Sequence, residues 1–146
     1  MSRFFTLPEA EELLPSMGRL LRSAMESKKS AIQLDEQLNG LLVRINMAGG
    51  IQVDVNRFAE LKSDKEQSME RLKQALSEIE NNGVLVKDLE AGLIDFPTML
   101  DDTEVYLCWK VGEPHIGFWH HTSEGFAGRK SIDQDFLKRH KGGKPN

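Results

Sequence analysis

Apolar residues in the first half of the chain recur at helical spacing: Leu13, Leu14, Met17, Leu20, Leu21, Ala24 and Met25, then Ala31, Ile32, Leu34, Leu38, Leu41, Leu42 and Ile45. Steps of three and four put these side chains on one side of a helix of about 40 residues. Its start is marked by Thr6 and Glu9, spaced as a capping box in which each side chain satisfies the other residue's free amide. Pro15 lies inside the pattern and predicts a kink, because its ring removes one backbone donor and crowds the preceding turn. Ala48, Gly49 and Gly50 predict the helix end. Asp54 is then a candidate N-cap for a second helix through Val55, Phe58, Leu61, Met69, Leu72, Leu76 and Ile79. Asn81, Asn82 and Gly83 should stop that one, since glycine and asparagine tolerate the left-handed turn after a helix.

Two long helices joined by a short loop fold back as an antiparallel hairpin. The apolar arc of the first is too wide for one partner helix, so a second copy is expected to complete a four-helix bundle of coiled-coil kind, making the protein a homo-oligomer. Lys28 and Asp35 interrupt the stripe, either setting register or meeting solvent.

After Gly83 the period becomes two. Val84–Val86 and Leu93–Phe96 read as short strands. Glu104–Val111 and Ile116–Thr122, rich in β-branched and aromatic residues, read as a hairpin closed by Gly112, Glu113, Pro114 and His115. The expected fold class is therefore α+β, a long antiparallel helical hairpin followed by a small antiparallel β-module. The expected divisions are a hairpin over 1–82, a β-module over 83–132 packed on the helices, and a flexible basic tail over 133–146 carrying Lys138, Arg139, Lys141 and Lys144.

Composition narrows the setting. A formal charge of −4 with both signs interspersed argues against a dedicated nucleic-acid binder. A single cysteine excludes an internal disulfide and points to a reducing compartment. No run has the length of a signal peptide's apolar region or of a membrane span, so the cytoplasm is the expected location, with no membrane partner.

The chemistry-bearing residues concentrate between Tyr106 and Arg129, which holds both tryptophans, the only tyrosine and the only cysteine. If the hairpin pairs Val111 with Ile116, then Leu107, Trp109, Phe118 and His120 share one face. Tyr106, Cys108, Trp119 and His121 share the other. This register makes His120 a core-edge imidazole and puts His121 diagonal to Cys108, where it could assist a thiolate. Candidate ligand-binding residues are Cys108, Trp119, His121 and Arg129. Glu113, His121 and Glu124 form a candidate mixed-donor site for a divalent metal, with a plain polar turn at Glu113–His115 and an Arg129–Glu124 ion pair as the competing readings. No catalytic set is complete.

The segments FTLPEAEELLP, GVLVKDLEAGLIDFP, YLCWKVGEP and IGFWHHTSEGFAGR occur in an order that resembles a bacterial family, domain of unknown function 2203, over residues 4–130. The resemblance implies one continuous unit and no established reaction. It also implies a shared signature at Leu89, Gly92, Asp95, Phe96, Pro97, Trp109, Gly112, Glu113, Trp119, His120, Gly125, Gly128 and Arg129. Together the residues and the resemblance favour a self-associating binding or scaffold protein whose β-module recognises a partner or small ligand. The alternative is a metal- or anion-dependent protein with a site around His121.

Overall fold

The structure is a computed structural model describing residues 3–47 and 55–140. Helix α1 spans Leu7–Met47 and helix α2 spans Val55–Asn81. They are followed by strands β1 (Leu85–Asp88), β2 (Leu93–Leu100), β3 (Thr103–Lys110) and β4 (Phe118–His121). A single 3-10 turn at Phe126–Gly128, strand β5 (Lys130–Ser131) and helix α3 (Gln134–Arg139) complete the order. The fold is α+β.

The capping box forms as its spacing predicts: Glu9 accepts from the Thr6 amide at 2.8 Å, and Thr6 Oγ1 accepts from the Glu9 amide at 3.2 Å. Helix α1 runs on through Pro15. The expected end at Ala48–Gly50 and the Asp54 cap lie outside the described residues. Gly83, at φ +85°, turns the chain out of α2 as expected.

The chain divides into two compact units, one of residues 23–75 and one of residues 1–22 with 76–146. In the first, Lys65 reaches Asp35 at 2.6 Å and Ser30 meets Ser68 at 3.1 Å, so Asp35 interrupts the apolar stripe to make a cross-helix ion pair. Leu38, Leu61 and Ala75 are buried there, whereas Ile32, Leu42, Val43, Met47, Val55 and Met69 are exposed.

The second unit is built on one antiparallel sheet in the order β1-β2-β3-β4-β5. The start of α1 belongs to this unit. Phe5 meets Phe96 edge to face at 5.4 Å, and Gly18 leaves room for the Trp109 ring. Ile94, Phe96, Val105, Leu107 and Trp109 are all buried.

The hairpin register differs from the expected one. Val105 pairs with His121, Tyr106 with His120, Leu107 with Trp119 and Cys108 with Phe118. The connection uses seven residues, 111–117, rather than four. Within it Glu113 accepts from the Lys110 amide, and the Ile116 amide turns away to Glu11 instead of pairing with Val111. A shift of one residue sends every β4 side chain to the opposite face.

The segment expected as a basic tail is also ordered through His140. Asp133 caps α3 by accepting from the Phe136 amide at 2.9 Å, and Phe136 is buried against Trp119 and His140. His140 Nε2 accepts the Leu7 amide at 2.7 Å while Nδ1 faces Thr98 Oγ1 at 3.2 Å, which makes this imidazole neutral. Burial accordingly holds its pKa below the usual histidine value. Lys141 and Lys144 lie outside the described residues.

Candidate metal centre

The observed register brings together three residues from three strands. Asp95 on β2 is the cross-strand partner of Cys108 on β3, and His120 on β4 lies diagonal to Cys108 on the same face. All three are buried, at 1%, 2% and 3% exposure. One carboxylate oxygen, the thiol sulfur and one imidazole nitrogen lie within 4.8 Å of one another. Among the described residues no other three His, Cys, Asp or Glu side chains are so placed.

Hydrogen bonding fixes the imidazole. His120 Nδ1 lies 2.8 Å from the His121 carbonyl, which can only accept, so Nδ1 carries a proton. Nε2 is therefore the atom turned into the cluster, 3.0 Å from Asp95 Oδ2. A hydrogen bond at that distance requires one of these two atoms to donate to the other. Burial raises the Asp95 pKa, and the attraction of His120 and a contact from the Cys108 thiol work against it. The other oxygen, Asp95 Oδ1, is buried and has no hydrogen-bond partner among the described residues.

Burial pushes the Cys108 thiol up to about 12, reinforced by the Asp95 charge and opposed by Arg129. A thiol in that state is a poor nucleophile at neutral pH. Assistance from His121 is ruled out by the register, because that ring packs on Trp119 at 5.1 Å on the opposite side of the sheet. His120, the imidazole that does share the face of Cys108, has both nitrogens engaged.

Around the cluster the contacts alternate aromatic and cation. Tyr106 meets His120 edge to face at 5.6 Å with Lys87 Nζ 4.6 Å from the tyrosine ring. The Arg129 guanidinium lies 4.0 Å from the Phe118 ring centre and 4.7 Å from that of Phe126. It donates to Glu113 at 2.5 Å and to the Cys108 carbonyl at 3.3 Å.

The residues expected to hold a metal do not bring their ligand atoms to one point among the described residues. Glu113 is spent on Arg129 and the Lys110 amide, and Glu124 on Lys130 and the His121 amide. Hydrogen bonding from Lys130 lowers the Glu124 pKa. Arg129 is thus paired with Glu113, not Glu124. Trp119 joins the opposite face, beside Phe136. Of the expected ligand-binding residues, Cys108 and Arg129 stay together, while Trp119 and His121 leave. Asp95 is not among the donors that residue spacing proposes. Its signal is an acid set between Ile94 and Phe96 in a strand whose neighbours are apolar.

The family model for an uncharacterized conserved protein family, DUF2203, matches residues 3–132. The chain belongs to that family. No curated protein and no solved structure matches it. Among the described residues no helix is long and apolar enough to cross a membrane.

Proposed function

We propose that this DUF2203 protein binds one divalent metal ion of borderline softness, of the zinc class, through Asp95, Cys108 and His120. The observation that carries the reading is the convergence of oxygen, nitrogen and sulfur donors from three paired strands at a buried point. Such a mixed set suits zinc better than magnesium or calcium, which prefer all-oxygen shells. The His120 Nδ1–H bond to a backbone carbonyl is the outer contact that metal-ligating histidines use to aim Nε2. The orphaned Asp95 Oδ1 gives the carboxylate a free lone pair. Tetrahedral zinc separates its ligands by roughly 3.3–3.7 Å, so no pair needs to close by more than about 1.5 Å. A reducing compartment suits a free thiol ligand.

Protein purified without a histidine tag or chelator is expected to carry about one equivalent of metal, or to take up one equivalent of zinc. Cys108→Ser should weaken zinc binding by more than about a hundredfold, beyond what loss of an outer contact costs. Metal far below stoichiometry, with no rise in melting temperature on adding zinc, overturns the reading.

A second reading concerns the unit of residues 23–75. Its exposed Ile32, Leu42, Val43, Met47, Val55 and Met69 support self-association of this helical unit as a scaffold, with a second copy covering the apolar positions. Light scattering should give at least twice the chain mass at tens of micromolar. A monomer at that concentration removes the idea.

A further inference from the structure

Three protein donors leave one position of a four-coordinate ion open, the arrangement of exchangeable rather than purely structural zinc sites. Beside the cluster stands Arg129, its side chain only 10% exposed. Its Nη2 is held by Glu113 and by the carbonyl of Cys108, itself a ligand, and the guanidinium lies against the rings of Phe118 and Phe126. Its Nε is nevertheless buried with no hydrogen-bond partner among the described residues. A buried guanidinium N–H left unmatched costs free energy that an acceptor would recover. Charge points to the kind of acceptor. With a divalent ion bound, Asp95 and the Cys108 thiolate offset the ion, and Glu113 offsets Arg129. Lys87 over the Tyr106 ring and Lys110 over the Phe126 ring then add positive charge that an incoming anion would meet.

We propose that the loaded site takes a small anionic oxygen ligand, a carboxylate or phosphate group, with one oxygen on the open metal position and another accepting from Arg129 Nε–H. This rests on the metal-binding reading above. A two-pronged arginine clamp is not needed: a single oriented N–H and the ion supply two anchors, and the flanking rings fix the direction of the donor.

The test uses the full chain loaded with cobalt(II), whose visible absorption reports coordination. Titration with acetate and with inorganic phosphate is expected to shift that absorption saturably for at least one of them. Arg129→Gln should weaken the response about tenfold or more, the loss of one charge-assisted hydrogen bond. Arg129→Lys, which keeps the charge without the planar fork, should fall between the two and serves if the glutamine variant does not fold. Failure of the wild-type chain to bind cobalt or zinc overturns both readings. A loaded protein whose spectrum ignores both anions, or variants that respond as the wild type does, overturns this one and leaves metal binding standing.

Discussion

Asp95→Ala is expected to cost the metal-free protein about 3–5 kcal/mol of folding stability, the range for removing one partner of a buried charged pair. Asp95 and His120 are 1% and 3% exposed and meet at 3.0 Å. With Nδ1 committed to the His121 carbonyl, loss of the carboxylate strands Nε2 away from water and leaves a void on that face of the sheet. Asp95→Asn separates these contributions. Its amide can donate to the lone pair of a neutral Nε2, so its cost should fall to about 1 kcal/mol, near the value of one ordinary hydrogen bond. Urea unfolding of chelator-treated protein measures both. If Asp95→Ala unfolds within about 0.5 kcal/mol of the wild type, well under the range for a broken buried pair, the pair is not holding the strands. The same asparagine variant should lose metal affinity despite its stability, because an amide oxygen is a weaker ligand than a carboxylate. Stability and binding therefore respond differently to one substitution, which a purely structural aspartate would not produce.

Much of the scaffold is legible in the sequence because it rests on local rules. The Thr6–Glu9 capping box, the helical spacing from Leu13 to Ile45 and the stop at Gly83 each depend on residues within a few positions of one another. The site is less legible, since it depends on register, a long-range quantity. Counting Gly112–His115 as a four-residue loop places His121 diagonal to Cys108. The chain spends more residues there because Glu113 folds back on the Lys110 amide and Arg129, and because Glu11, 105 positions earlier, holds the Ile116 amide. None of these contacts follows from loop composition. Once the register moves by one, His120 changes from a core-edge residue to the centre of a cluster, and Asp95 gains a role through its partner Cys108. The segment after Ile132 departs from expectation for a related reason. Its charge density suggests solvent, while a single apolar residue at the right turn of a short helix decides the matter.

That residue is Phe136, and Phe136→Ala is expected to destabilise the protein by about 3–5 kcal/mol, the usual cost of emptying a buried phenylalanine site. A helix of six residues has little stability of its own. What holds α3 is the Phe136 ring, 1% exposed, set 5.3 Å from Trp119 and stacked 5.2 Å from His140. Through His140 the same ring braces the acceptor for the Leu7 amide at the start of α1, and the Arg139 carbonyl takes the Asp101 amide at 2.9 Å. Removing the ring should therefore loosen the end of β2 and the first turn of α1 together. Hydrogen exchange would show this as lost protection at the Leu7 and Asp101 amides, both of which have their acceptors in 139–140. Leu137→Ala, one residue on and 46% exposed, is the control and should stay within about 0.5 kcal/mol of the wild type. If the two variants are equally mild in thermal unfolding, residues 133–140 are an appendage, and a chain ending at Ile132, where the family match also ends, should be as stable as the full one. If Phe136→Ala is the severe one, the folded unit extends past that boundary, and the face of the sheet opposite Asp95, Cys108 and His120 is held in place by a segment outside the matched residues.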